Sequence, residues 1–170
     1  MPLVLNGTTG VQDNSGAFVA GTAVASTSGT SIDFTSIPSW VKRITVNFGR
    51  TSISGTSGGL VSLGTSGGVV STGYIATAVD IAPSGIGALN STAGFPIRYF
   101  NASFAISGSM IISLLSSNRW VCSSVLNSTT DQNQMIAGDV TLSGTLDRVR
   151  ITTVNGTDTF DAGSINILYE

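Results

Sequence analysis

Histidine is absent from this chain of 170 residues, which has one lysine (Lys42), one cysteine (Cys122) and one glutamate (Glu170). Most catalytic sites use His, Glu, Lys or Cys for proton transfer or nucleophilic attack. Catalysis by a Ser/His/Asp triad is therefore excluded. A chain so poor in these groups is expected to be a scaffold or a binding surface, and not an enzyme.

The single cysteine excludes an internal disulfide and a zinc site built from cysteines. Cys122 follows the apolar Trp120 and Val121, so we expect it to be buried and inert. No apolar run approaches the roughly 18 residues of a membrane span, so membrane insertion is not expected. The start Met1–Leu5 lacks the basic residues of a signal peptide, which predicts a protein made in a cytoplasm and not exported by the usual route.

Charge is also scarce: only 9% of the residues are charged and the net charge is −2, against about 25% charged residues in typical domains. Nucleic-acid binding needs clustered Lys and Arg, and here the basic residues are scattered, so nucleic acid is not an expected partner. Arg148 and Arg150 share one strand face, where we expect them in solvent or paired with Asp. A surface with so little charge is weakly protected against association, so other subunits are expected to cover part of it.

Small and hydroxylated residues are abundant, with 25 Ser, 21 Thr and 21 Gly. The apolar residues alternate with polar ones, as in half-buried strands, in four segments: Val41–Phe48, Tyr99–Ile106, Arg148–Thr152 and Ser164–Glu170. The run Met110–Leu115 is apolar on both sides, and its shortness and β-branched residues favour a central strand. Candidate strands recur every 8–12 residues or so, which is typical of an all-β sandwich or barrel.

Turn signals separate these strands. Asn155 and Gly156 tolerate positive φ and predict a two-residue turn. Further turns are predicted at three places, namely Gly58–Gly59, Gly67–Gly68 and Asp161–Gly163. Residues 78–96 contain two prolines and several glycines and are interpreted as one long loop, a kind of segment that is often functional.

The first 30 residues differ from the rest, because Gly7–Gly29 is a small-residue stretch in which Phe18 is the only sizeable apolar side chain. This stretch is either a first strand pair or an arm that lies on a neighbouring subunit. We favour the arm, since the stretch buries too little to fold by itself. The compact domain is expected to begin near Ser31–Phe34.

Two segments carry a resemblance to a known family. The closing segment, Leu146–Glu170, looks like the final hairpin of a β-sandwich domain found in tail-fibre and other virion structural proteins of tailed bacteriophages, particularly those of aquatic bacteria. Ser31–Val46 resembles the opening of the same domain, and Leu3–Gly10 is similar to segments of such fibres. Together these cover around half the chain, and residues 50–140 carry no resemblance.

The resemblance implies a jelly-roll-like sandwich, often trimeric, on a virus particle. In such a domain Trp40 would plug the core at the start of the first long strand. The last strand, Ile165–Tyr169, would lie centrally in its sheet. A tail fibre is usually a long multidomain chain, however, so this short chain leaves room for a small fibre, a receptor-binding tip or a capsid decoration protein.

Candidate chemistry in the sequence is weak. Asp158 and Asp161 could form a pair of catalytic carboxylates that cleaves sugars, but turn chemistry is the favoured interpretation of this Asp-rich segment. Both Asp158–Asp161 and Asp131–Gln134 supply oxygens for calcium, without the spacing of an EF-hand. Four aromatic residues could stack on sugar rings if they face outward: Tyr74, Phe95, Tyr99 and Trp120. For Trp40 and Trp120, core packing is the favoured alternative.

The sequence therefore predicts a non-enzymatic all-β protein. It would be an antiparallel jelly-roll-like β-sandwich over residues 31–170, with residues 1–30 as an extended N-terminal arm that contacts other virion proteins. No cofactor, metal site or catalytic residue is expected. The leading function is a homotrimeric tail-fibre or receptor-binding component of a virion, which contacts a host cell-surface glycan or protein. The alternatives are a capsid decoration protein, which would stabilise the head shell, and a polysaccharide depolymerase, which the small size and the shortage of acids disfavour.

Overall fold

A computed structural model describes residues 5–6, 10–11, 18–98, 100–128 and 132–170, and in this part of the chain every regular element is a strand. The first eight strands are β1 (Leu5–Asn6), β2 (Gly10–Val11), β3 (Val19–Ala20), β4 (Val24–Ala25), β5 (Ser31–Phe34), β6 (Arg43–Ile53), β7 (Gly59–Thr65) and β8 (Gly68–Val69). The other eight are β9 (Ile75–Ala82), β10 (Gly85–Ser91), β11 (Phe95–Ile97), β12 (Ile106–Ser116), β13 (Arg119–Ser128), β14 (Asn133–Thr141), β15 (Arg148–Thr153) and β16 (Phe160–Tyr169).

The strands form two main antiparallel sheets. The large sheet has nine strands in the order β10-β9-β14-β13-β12-β6-β16-β3, and β4 also pairs with β16. The small sheet has the order β11-β7-β15-β5, with β8 paired to β7. β1 and β2 pair with each other. The prediction of an all-β, antiparallel, sandwich-like protein is confirmed.

The core lies between the two sheets and follows the predicted alternation. Ile44 and Val46 of β6 are buried in one cluster with Val149 and Ile151 of β15, so the inner faces of the two sheets share a single hydrophobic core. A side-chain period of two puts every second residue of each strand on this inner face. The strand predictions for Val41–Phe48, Arg148–Thr152 and Ser164–Glu170 are confirmed.

The apolar run Met110–Leu115 lies in β12, between β6 and β13, as the prediction of a central strand requires. Only alternate residues of the run enter the core. Met110 and Ile112 are fully buried, whereas Ile111 and Leu115 are exposed on the opposite side of the sheet. The large sheet therefore carries aliphatic side chains on its outer face as well.

The prediction that residues 78–96 form one long loop is wrong. This segment contains the end of β9, all of β10 and the beginning of β11, and the turn between β9 and β10 consists only of Pro83 and Ser84. The alternation in β9 is hard to recognise because a buried carboxylate occupies one inward position. Asp80 is 1% exposed, and its Oδ1 lies 3.0 Å from Nη1 of Arg98.

The strand predicted over Tyr99–Ile106 is also wrong, although Tyr99 itself is outside the described residues. Residues 100–105 connect β11 to β12 through a turn, in which the side-chain Oδ1 of Asn101 accepts a hydrogen bond of 2.8 Å from the backbone N–H of Ser103. Such a local bond lets an Asx residue mimic a backbone turn. Phe100 and Ile106 are both apolar and buried, although Phe100 lies in the connection and Ile106 begins β12. Their spacing in the sequence therefore resembles the alternation of a strand.

The closing segment is not a hairpin. A turn closed by the bond from Gly156 N–H to Thr153 O lies near the predicted position, but the connection is not the predicted two-residue turn, since it runs over residues 154–159. β15 belongs to the small sheet and β16 to the large sheet, so this connection crosses between sheets. β16 pairs with β6 along its whole length. On its other side it meets only the two-residue strands β3 and β4, so it lies beside the edge of the sheet and not at its centre.

The other turn predictions have mixed outcomes. A turn at Ser66–Gly67 joins β7 to β8, as predicted near Gly67–Gly68. The turn expected at Gly58–Gly59 is wrong, because Gly59 begins β7. The turn expected at Asp161–Gly163 is also wrong, because these residues lie inside β16 at two shifts of register. Gly163 has a φ of 87°, a conformation in which a Cβ would be strained, so the segment forms β-bulges.

Residues 18–30 run along β16 and form one interrupted edge strand. β3 and β4 both pair antiparallel with β16, and a backbone hydrogen bond from Gly21 N–H to Ile167 O joins the two pieces. Ser26 is fully buried, with its Oγ 2.7 Å from Ala162 O. Apart from the backbone of β1 and β2, the residues before 18 that were assigned to the arm are outside the described part of the chain.

Trp40 lies in the turn before β6 and is half-buried against the edge of the core. Its ring centroid is 5.9 Å from that of Tyr169, with the planes tilted by 53°. The ring therefore packs at the end of the sandwich beside the last strand, and is not inserted into the core as the resemblance implied.

Candidate functional site

The aromatic residues proposed for sugar stacking do not form a surface. Tyr74, Phe95 and Trp120 are all buried. Their burial confirms the favoured core packing of Trp120 and excludes the outward orientation considered for Tyr74 and Phe95, whereas Tyr99 is outside the described residues. Tyr74 packs edge-on against Phe95 with a centroid distance of 5.2 Å. Its hydroxyl accepts a bond of 2.7 Å from Leu63 N–H, and burial raises the pKa of Tyr74 to about 12. These rings hold the two sheets together.

Asp158 is held by turn chemistry, as the favoured interpretation expected. Its carboxylate accepts hydrogen bonds from the side-chain Nδ2 of Asn155 at 2.8 Å and from the backbone N–H of Ser57 at 3.0 Å. These bonds lower the pKa of Asp158, with the Asn155 bond as the largest cause. A general acid for sugar cleavage needs the opposite shift. Gly55 permits the approach, because a Cβ at that position would collide with the carboxylate.

Asp161 lies in the bulged part of β16, and its carboxylate accepts a hydrogen bond from the hydroxyl of Ser52. Within the described ranges, no group of three His, Cys, Asp or Glu side chains could hold a metal ion. Of the second calcium candidate, Asp131 is outside these ranges, and the Oε1 of Gln134 accepts a hydrogen bond of 2.8 Å from Arg98 N–H. Asp161 and Gln134 therefore have structural bonding partners.

Arg148 and Arg150 are both paired with Asp, one of the two placements expected. Arg148 Nη2 lies 2.9 Å from Asp147 Oδ2 and Arg150 Nε lies 2.7 Å from Asp33 Oδ1. Cys122 is buried as predicted, and burial raises the pKa of its thiol to about 12, which keeps the reactive thiolate from forming near neutral pH. Neither the basic residues nor the thiol offers a catalytic or phosphate-binding site.

The most unusual surface is the outer face of the large sheet. Val79 of β9, Met135 of β14 and Val125 of β13 are direct cross-strand neighbours, and each is partly or fully exposed. Ile81 lies two residues beyond Val79, directly opposite Ile86 of β10. Val125 is 62% exposed and Ile86 is 78% exposed. We call these five residues the apolar patch.

Most charged side chains on this face lie at the other end of the strands, whereas the exposed Arg50 of β6 lies beside Ser107, level with the apolar patch. Arg119 and Asp139, on β13 and β14, form an ion pair with 3.1 Å between Nη2 and Oδ1. Arg43, at the start of β6, pairs with Glu170. The strand positions that surround the apolar patch on this face carry uncharged polar side chains, among them Thr77, Ser109, Asn127 and Asn133. The ion pairs of this face are thus at one end, and the apolar patch is at the other.

The apolar patch extends to an edge of the sheet, because Ile86 belongs to the edge strand β10. β10 pairs with β9 over seven residues without a shift of register and contains no charged residue or proline. Natural edge strands are usually protected by charge, proline, bulges or brevity. The opposite edge has that protection, since β3 and β4 have two residues each.

An open groove lies at the end of the β9–β10 pair. It has a volume of about 440 Å³ and its polar lining comes from Thr77, Asn90, Ser91 and Thr92, with Ile75 and Ala76 among the apolar residues. Thr77 Oγ1 and Asn90 Oδ1 are 2.8 Å apart, so the hydroxyl donates to the amide oxygen. Uncharged hydroxyl and amide groups of this kind can bond sugar hydroxyls. Only Asn90, Ser91 and Thr92 of this lining belong to the predicted recognition segment 78–96.

The sequence contained a signal for the outer face that its interpretation did not use. A run that is apolar on both sides, such as Met110–Leu115, indicates that the strand has apolar side chains on both faces of the sheet.

In the described ranges there is no helix of the length and apolarity that a membrane span requires. No protein-family model matches this chain, and no curated protein or solved structure matches it either.

Proposed function

We propose that this chain is a non-enzymatic structural protein of a tailed-bacteriophage virion, and that it serves as a tail-fibre or receptor-binding component. Its fold would be a jelly-roll-like sandwich with an N-terminal arm. The proposal combines the resemblance of Ser31–Val46 and Leu146–Glu170 to such proteins with one structural observation, the exposed apolar patch next to an unprotected edge strand. Contiguous exposed apolar side chains often mark interaction sites, and this supports a role within an assembly.

The chemistry of the described residues agrees with a structural role. The candidate acids Asp158 and Asp161 have structural hydrogen bonds, and the thiol of Cys122 is buried. The sandwich is a scaffold that can present a ligand-binding surface at the ends of its strands. In this proposal the groove beside Thr77 and Asn90 contacts an uncharged glycan of the host cell surface.

The experiment that tests the proposal is quantitative mass spectrometry of purified phage particles from a lysate in which the chain is expressed. A tail-fibre component is expected in a small number of copies per particle, in proportion to the tail proteins. Hundreds of copies per particle would support the alternative, a capsid decoration protein. Absence from the particles would contradict the proposal.

The host contact is tested separately by adsorption of the purified protein to host cells. Thr77→Ala and Asn90→Ala remove two hydrogen-bonded neighbours that supply part of the polar lining of the groove, so the double variant is expected to bind cells at least tenfold more weakly. Ser123→Ala, an exposed hydroxyl on the same face of the large sheet, is the matched control and should bind as the natural chain does. Equal binding by the double variant would exclude the groove as the receptor site.

A further inference from the structure

We propose that Asn155 is a covalent modification site, which loses its side-chain amide by spontaneous deamidation when the connection between β15 and β16 opens. The inference goes beyond the proposed function and does not depend on it. It begins with the pair Asn155–Gly156, in which both residues are exposed. The backbone nitrogen that follows an asparagine can attack the side-chain carbonyl carbon, and glycine, which has no Cβ, hinders this attack least.

The reaction needs no partner except water. The backbone nitrogen of Gly156 bonds to Cγ of Asn155, and the bond from Cγ to Nδ2 breaks. Nδ2 leaves as ammonia with the proton that the Gly156 nitrogen gives up, and a five-membered succinimide ring remains. Water then opens the ring at one of its two carbonyl carbons. The product is either aspartate or isoaspartate, in which the main chain runs through Cγ.

In the folded chain, hydrogen bonds hold both reacting groups. Gly156 N–H donates a bond of 3.1 Å to Thr153 O. The Oδ1 of Asn155 accepts a bond of 2.8 Å from the hydroxyl of Thr153, and bonds of 3.0 and 3.2 Å from the backbone N–H groups of Thr157 and Asp158. The side chain must leave these donors to approach the Gly156 nitrogen, so the reaction proceeds through a locally opened state.

Asp158 holds the amide nitrogen that would leave. Nδ2 of Asn155 donates a bond of 2.8 Å to Oδ1 of Asp158, and Oδ2 of Asp158 accepts a bond of 3.0 Å from the backbone N–H of Ser57. Ser57 Oγ accepts a bond of 3.1 Å from the backbone N–H of Asn155. These bonds join the connection between β15 and β16 to the connection between β6 and β7, and they define the clamp around Asn155.

Deamidation would weaken this clamp. In the aspartate product, a carboxylate oxygen replaces the Nδ2 donor opposite the carboxylate of Asp158, so an attraction becomes a repulsion between like charges. In the isoaspartate product, the longer main chain also displaces the groups that bond to Thr153 and Ser57. The modified connection is therefore expected to open more readily than the natural one.

The first experiment incubates the full chain at pH 8, folded or in urea, and follows its peptides by chromatography and mass spectrometry, which detect the replacement of an amide NH2 by OH. Asn101, which also accepts a turn hydrogen bond but precedes Ala102, is the internal control. In urea, Asn155 should react faster than Asn101. In the folded chain, Asn155 should react at least tenfold more slowly than in urea, because the opened state is rarely populated.

An Asn155 rate in urea no higher than that of Asn101 would overturn the modification site. Equal rates for Asn155 in the folded chain and in urea would overturn its control by the fold. Both results concern this site alone and leave the proposed function untouched, since that function depends on the presence of the chain in particles.

The second experiment tests the clamp with two aspartate variants, measured at a temperature where each is folded. Asp158→Ala removes the acceptor of the amide nitrogen and should raise the folded-state rate at Asn155 at least threefold, because less is lost on opening. Asp161→Ala is the matched control, because it removes a carboxylate of the same segment that bonds to Ser52. An unchanged rate in Asp158→Ala, or an equal rise in both variants, would overturn the role of Asp158.

The third experiment measures the consequence of deamidation with a variant that has the product side chain. Asn155→Asp should lower the unfolding temperature by about 2–4 °C in low salt. Asn101→Asp makes the same charge change in another turn and should lower it less. Equal midpoints for the two variants would overturn the repulsion from Asp158.

Discussion

The two faces of the large sheet carry similar aliphatic side chains but differ in what covers them. On the inner face, Ile112 and Met110 are fully buried against the small sheet. On the outer face, Ile111 and Val125 are exposed, and no second sheet formed by the described residues covers them. Burial is what gives an aliphatic side chain its stabilising effect. The inner residues therefore account for the fold, whereas the outer ones add little to the monomer and point to an assembly.

The two faces are expected to differ most in the unfolding free energy that is lost when two adjacent isoleucines of β12 are each replaced by alanine. Ile112→Ala removes a fully buried side chain and should lower the free energy of unfolding by about 2–5 kcal/mol. Ile111→Ala, at 41% exposure, should cost less than about 1 kcal/mol in the monomer. Urea unfolding at low protein concentration measures both. Equal losses would mean that the outer face is covered within the monomer, which would contradict the comparison.

A smaller difference in unfolding free energy is expected between breaking an ion pair on the inner face and breaking one on the outer face. Asp80 is buried on the inner side with Arg98 at 3.0 Å, although the Arg98 side chain is itself about a third exposed. Arg98→Ala leaves this carboxylate without its cation, and we expect a loss of about 1–3 kcal/mol after allowance for solvent screening. Arg119→Ala breaks the exposed pair with Asp139 and should cost less than about 1 kcal/mol.

Thermal unfolding of both arginine variants in low and high salt provides the check. High salt should reduce the loss of unfolding temperature caused by Arg119→Ala. It should leave the loss caused by Arg98→Ala nearly unchanged, because buried pairs are screened less. The reverse order of the two losses would contradict the assignment of Asp80 to the core.

The smallest effect is the response of the inner face to alkaline pH. Burial raises the pKa of Cys122 and that of Tyr74 to about 12, above the ordinary values of 9.0 and 10.0. The fold thus keeps both groups protonated. Their contribution to stability is fully present below the ordinary pKa values and is lost as the pH rises through about 12. The unfolding temperature should therefore decline from about pH 9 upward.

Cys122→Ala removes one of these two groups, so its unfolding temperature should decline less steeply with alkaline pH than that of the natural chain. In the native protein at pH 8, Cys122 should not react with thiol reagents until the chain is unfolded. Rapid reaction in the native state would show that this part of the inner face is open to solvent.

Local alternation was enough to predict strands β6, β15 and β16, because each has a clear buried face in its own sequence. The short, β-branched apolar run Met110–Leu115 predicted β12. Local alternation failed for β9, where buried Asp80 takes an inward position, and for residues 100–105, where Phe100 is buried in a turn. The pairing of strands is a long-range property. The crossing from β15 to β16 therefore resembled a hairpin in the sequence, although the two strands lie in different sheets.

The functional surface was less predictable than the fold. Whether an aromatic ring points inward depends on the strand register, so Tyr74, Phe95 and Trp120 could be read as surface groups or as core groups. The apolar patch draws its residues from positions 79 to 135, and only the order of the strands brings them together. The low charge of the composition predicted that other subunits cover part of the surface, but composition carries no information about which part.

Oxidation of the two internal methionines by hydrogen peroxide tests the central claim most directly. Met110 is fully buried in the core and serves as the internal control, whereas Met135 lies in the apolar patch. The account predicts that peroxide oxidises Met135 rapidly in the folded, dilute protein, while Met110 stays protected until the chain unfolds. Equal protection of the two methionines in the dilute protein would contradict it, because Met135 would then be covered within the monomer.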